Sequence, residues 1–86
     1  MSLKDIHVNI LKALEKRKMT EKEILYYVSG STSKHINELF TMGIVATVTY
    51  DVDKEPFYIN CTNVPDIIKE YEYHRKGHNT LNDWGI

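Results

Sequence analysis

The sequence predicts a mainly helical α+β domain: a three-helix core, a two-stranded β-hairpin and a closing C-terminal helix. Apolar residues recur at helical spacing up to Gly43, and a β-branched run with a polar reversal follows. A proline-led helical stripe then ends the regular part. At 86 residues the chain is one domain with a modest core, so help from a partner subunit is expected. The domain is expected over residues 1–76, with 77–86 as a C-terminal tail.

The first helix should run from about Leu3 to Lys16, with Ser2 and Asp5 as a weak capping pair. Leu3, Ile6, Ile10, Ala13 and Leu14 share one face, and Val8 and Leu11 form a second apolar strip well round from it. That strip either lies under the C-terminal helix of the same chain or forms a dimer interface with Ile67, Ile68 and Tyr71. Lys16-Arg17-Lys18 suits the negative end of the helix, where it can be solvated or meet a phosphate backbone. Met19-Thr20 can pair briefly as a strand.

Thr20-Glu21-Lys22-Glu23 is a capping box, each end satisfying a backbone N–H of the other. The helix it opens should cover about Glu21–Val28 and bury Ile24, Leu25 and Val28. Ser29-Gly30-Ser31 is a tight polar turn into the next helix, making a helix-turn-helix. That next helix, at about 32–42, has Ser31 as its expected cap and Ile36, Leu39 and Phe40 facing inward. Lys34, Asn37, Glu38 and Thr41 face outward, and Gly43 suits the left-handed residue that ends it.

Ile44–Tyr50 and Pro56–Cys61 read as the two hairpin strands around a polar reversal, Asp51–Glu55. Thr62-Asn63 and Pro65 then start a helix reaching about Arg75 or Lys76, with Val64, Ile67, Ile68 and Tyr71 as its stripe and Gly77 as its stop. In the tail, Leu81, Trp84 and Ile86 are costly to leave in water and should dock on the domain or on a partner.

The formal net charge is −1, unusual for a nucleic-acid binder. It is unevenly spread: bases outnumber acids up to Gly43, and acids outnumber bases after it. No apolar run is long enough to cross a bilayer, and the N-terminus lacks a signal-peptide pattern, so a cytoplasmic location is expected. The lone Cys61 rules out an intramolecular disulfide. No nucleophile motif, phosphate loop or acid pair points to catalysis, and no enzyme activity is expected. His74 and His78, with His7 and Cys61, lack the companions a metal site needs; no metal, cofactor or small-molecule effector is expected. The six tyrosines are scattered over different elements, as residues at the edge of a core would be.

The segments ILKALEKRKMTEKEIL, STSKHINELFTMGIV and VATVTYDVDKEPFYI follow one another in the order helix, helix-turn-helix, hairpin. This order resembles winged-helix DNA-binding proteins, and SKHINELFTMGIV is similar to the recognition helix and following strand of ArsR- and MarR-like regulators. The chain also resembles small winged-helix proteins of archaea and their viruses, for which the location would be the host cytoplasm. The resemblance covers about three quarters of the chain and is specific for fold rather than function. It implies a sequence-specific regulator of double-stranded DNA, acting as a homodimer. The contacts implied are Ser31, Thr32, Ser33, Lys34, Asn37 and Thr41, with His35 at the margin and Lys54 on the wing.

Two features depart from that pattern. The turn Ser29-Gly30-Ser31 is short, and the wing tip carries Asp51, Asp53 and Glu55 against Lys54 alone, which opposes a phosphate backbone. An alternative is therefore a protein–protein interaction module using the acidic wing or the apolar tail. A third reading is an ArsR-like metal-responsive repressor.

Overall fold

The computed structural model describes residues 3–73. Its elements are α1 (Asp5–Lys16), β1 (Met19–Thr20), α2 (Glu21–Tyr27), α3 (Ser33–Thr41), β2 (Val45–Val48) and β3 (Phe57–Asn60). A fourth helix, α4, runs from residue 64 to the last described position, 73. The strands form one antiparallel sheet in the order β1-β3-β2. The helix at Arg75 or Lys76, the boundary at 76/77, the tail and the His74/His78 pair lie outside the described residues.

α1 begins two residues later than Leu3, because Lys4 is extended and its N–H is taken by His7 Nδ1 at 2.9 Å. Its buried side is His7, Val8, Ile10, Leu11 and Leu14, while Leu3, Ile6 and Ala13 are only half-buried. Val8 and Leu11 of the second strip are thus buried together with Ile10 and Leu14 of the first. Val8 and Leu11 join one core cluster with Ile24, Ile36, Leu39, Val64 and Ile68. α4 is fastened to α1 by Lys12 Nζ on Glu72 at 2.7 Å and by the Tyr71 hydroxyl donating to Asp5.

α2 starts as expected. The Thr20 N–H donates to Glu23 Oε1 at 3.0 Å and Thr20 Oγ1 accepts from the Glu23 N–H at 3.3 Å. That backbone donor, with Arg17 at 3.2 Å, holds the Glu23 carboxyl below its ordinary range. Ile24 and Val28 are buried, and Leu25 is half-buried. Thr20 is also the last residue of β1, whose pairing with β3 sets Met19 opposite Tyr58 and Thr20 opposite Phe57. The hairpin is therefore part of a three-stranded sheet.

Gly30, at φ +83°, makes the turn between α2 and α3. Ser31 does not cap α3. Its hydroxyl donates to Val28 O at 2.6 Å, closing the end of α2, and Thr32 takes the N-cap position of α3. Gly43, at φ +76°, ends α3 together with Gly43 N–H to Phe40 O (3.0 Å) and Ile44 N–H to Leu39 O (3.1 Å). A Cβ at Gly43 would meet no atom within 4 Å, so only backbone strain opposes a side chain there. Gly43→Ala should cost about 1 kcal/mol in a urea melt.

β2 and β3 are shorter than the strands expected, four residues each. On the sheet face towards α1, Asn60 Nδ2 donates to Leu11 O at 2.8 Å. The wing loop beyond the strands folds back on itself: Asp51 O accepts from the Lys54 N–H at 3.0 Å and Asp51 Oδ1 from the Asp53 N–H at 3.0 Å.

Candidate nucleic-acid interface

α3 lies with Ile36 and Leu39 against the core, 1% and 0% exposed. One residue corrects the expected inward stripe: Phe40 is 50% exposed. Each helical residue advances about a quarter turn. The side of α3 that meets α1 is the one carrying His35 and Glu38, so the inner face is centred towards Leu39 and Phe40 falls outside it.

His7 makes that contact. It is 1% exposed, its Nδ1 accepts from the Lys4 N–H, and its Nε2 lies 2.8 Å from Glu38 Oε1. With Nδ1 occupied as an acceptor, Nε2 carries the proton and donates to the carboxylate. The same device recurs on α3: Thr32 N–H donates to His35 Nδ1 at 3.1 Å. The two rings meet edge to face, centroids 5.3 Å apart. His7, weighed in the sequence only as a spare metal ligand, thus locks α3 to α1. Its signal was positional: His7 and His35 each sit third in their helix, where Glu or Gln serves a capping box.

Glu38 is accordingly engaged with His7 rather than turned to a partner. The His7 hydrogen bond, against some desolvation and aided by the nearby charge of Lys34, holds its carboxyl below the ordinary range. A depressed folded-state value stabilises the fold above the ordinary carboxylate range, and this contribution is lost as pH falls through the depressed value. In a carboxyl NMR titration, His7→Ala should move the Glu38 midpoint upward.

The expected contact residues divide into two groups. Lys34, Asn37 and Thr41 are exposed and stand together on the outward side of α3. The others are partly committed elsewhere. Ser31 closes α2, the exposed Ser33 donates to Glu21 Oε2 at 2.6 Å, and Thr32 and the half-buried His35 satisfy each other. Lys54 is exposed at the wing tip among Asp51, Asp53 and Glu55. Glu55 is partly offset by Lys22 at 3.8 Å. At the base of the wing, Lys18 Nζ sits over the rings of Tyr50 (5.3 Å) and Phe57 (5.5 Å).

The interface residues expected between subunits also divide. Val8 (3% exposed), Leu11 (0%) and Ile68 (6%) are buried in the chain's own core. Ile67 and Tyr71 remain half-buried and, with Leu3 and Glu70, line a shallow cavity of about 220 Å³. Among the described residues no group of three His, Cys, Asp or Glu side chains is placed to hold a metal ion. Nor is any helix there long and apolar enough to cross a membrane.

Three helices feeding a small sheet whose last two strands form a hairpin with an exposed loop, with the second and third helices joined by a brief turn, define a winged helix. The adhesin competence repressor (AdcR) from Streptococcus pyogenes is similar in structure, with a TM-score of 0.69 and 20% sequence identity over 98% of this chain. The chain spans 63% of the length of that protein. At such identity the likeness shows the fold. No family model and no curated protein sequence matches the chain.

Proposed function

We propose that the chain is a sequence-specific double-stranded DNA-binding regulator that places α3 in the major groove and acts as a homodimer. The observation that carries this is the outward side of α3. Lys34, Asn37 and Thr41 stand exposed on a helix whose opposite side is sealed by Ile36 and Leu39 and fixed in rotation by His7 and Glu38. A Lys can reach phosphate or guanine, and an Asn can pair bidentately with adenine. The structural likeness to a protein named as a repressor supports the same reading. Two copies would meet through α4 at the half-buried Ile67 and Tyr71, and present two α3 helices to successive turns of a pseudo-palindromic site.

Selection of bound duplexes from a random pool, with a solution mass measurement, tests this. Lys34→Ala should reduce the slope of log affinity against log salt by about one unit while leaving base preference intact. Asn37→Ala should relax preference at one base pair, at a cost of about 1–3 kcal/mol. If both variants bind as the parent does, α3 is not the reading helix.

The exposed wing tip favours a second reading, a module that docks on protein: Asp51, Asp53 and the 92%-exposed Val52 would suit a basic, partly apolar surface. Titration with random-sequence duplex at low salt separates the two, since a DNA-binding domain must show at least weak phosphate attraction. Absence of any binding there supports the protein partner.

A further inference from the structure

The outward side of α3 carries one residue that neither its caps nor the core explains. Phe40 leaves half of its surface in water beside Ser33, Asn37 and Thr41. Of the large apolar side chains exposed among the described residues, it alone lies on α3. The residues that share this side of the helix, Ser33, Lys34, Asn37 and Thr41, are polar and include one cation, which suits an anionic partner rather than an apolar protein surface. Asn37 and Phe40 are three residues apart, so their Cβ atoms are about 5–6 Å from each other on one face. That spacing spans one to two base-pair steps. The floor of the major groove is polar except for one group, the 5-methyl of thymine, against which a phenylalanine can pack.

Resting on the reading of α3 as the groove helix, we propose that Phe40 packs on thymine methyl groups beside the base pair read by Asn37. Together they restrict the centre of each half-site to A·T pairs. Asn37 reads the adenine edge by hydrogen bonds and Phe40 the methyl edge by apolar contact. Specificity would then rest on one polar and one apolar side chain a single helical turn apart.

The test uses the full chain and the duplex enriched from a random pool, synthesised with uracil in place of thymine at one A·T pair at a time. This exchange removes the methyl group and leaves every hydrogen-bonding edge in place. The parent should lose about fourfold in affinity for each contacted methyl, the equivalent of ~0.8 kcal/mol. Phe40→Ala should bind thymine and uracil duplexes alike while melting near the parent, and Phe40→Leu should keep part of the difference. A parent indifferent to uracil everywhere overturns the proposal, as does a Phe40→Ala variant as sensitive as the parent. In both cases the regulator reading stands, because a sequence has been enriched. A variant that melts as a core substitution would assigns Phe40 to the chain's own packing and also overturns it. Failure to enrich any sequence, with no binding of random duplex at low salt, instead removes the groove-helix reading itself.

Discussion

Replacing Leu11 by alanine is expected to remove about 3–5 kcal/mol of folding stability, the range found where a fully buried leucine leaves a cavity that its surroundings cannot refill. Leu11 is 0% exposed, and its own carbonyl receives the Asn60 side chain, so α1 is held to β3 at that point and has little freedom to collapse inward. Against a net stability of about 5–15 kcal/mol for a folded domain, such a loss is a large share. A urea melt followed by circular dichroism checks it. The result also separates two roles for the residue. A core role lowers the midpoint at every protein concentration, whereas an interface role would leave a folded but dissociated chain, with a midpoint that rises with concentration in the parent alone.

The second large effect is expected at His7. His7→Ala should cost about 2–4 kcal/mol, since it combines a cavity in the α1–α3 contact with loss of the acceptor for the Lys4 N–H. It also frees Glu38, whose side chain is 26% exposed and can find water, so no buried charge is stranded. His7→Gln separates these parts: glutamine at the same helix position accepts from the cap N–H but does not fill the ring's place. Its melt should fall between those of the parent and the alanine variant. If the proposed function holds, both variants should also weaken duplex binding beyond their effect on the fraction folded, because α3 would lose the contact that sets its rotation.

Much of the architecture was legible from local chemistry. The box Thr20 to Glu23, the glycine after α3 and the β-branched run each act within a few residues and appear where expected. What pattern alone left open was rotation about helix axes. On α1 the apolar residues cover more than half the circumference, and which part faces inward depends on how α3 and α4 arrive, not on spacing. The same ambiguity placed Phe40 inside, because Ile36, Leu39 and Phe40 fit one stripe equally well until the polar contact of His7 with Glu38 fixes the roll. Both glutamate and histidine read as polar surface residues from hydropathy. Their pairing across 31 positions could be seen only once the chain was folded. For the interface, Lys34, Asn37 and Thr41 followed from helical periodicity alone, whereas the competing bonds of Ser31 and Ser33 come from α2 and had no sequence signature.

The brief strand β1 has a mechanical consequence. Thr20 ends it and caps α2 at once, and β1 is laid along β3, so the central strand is gripped on both flanks with no slack before the helix. A wing pivoting about its base would therefore have to open the β1–β3 pairing at Met19 and Thr20, the residue from which α2 starts.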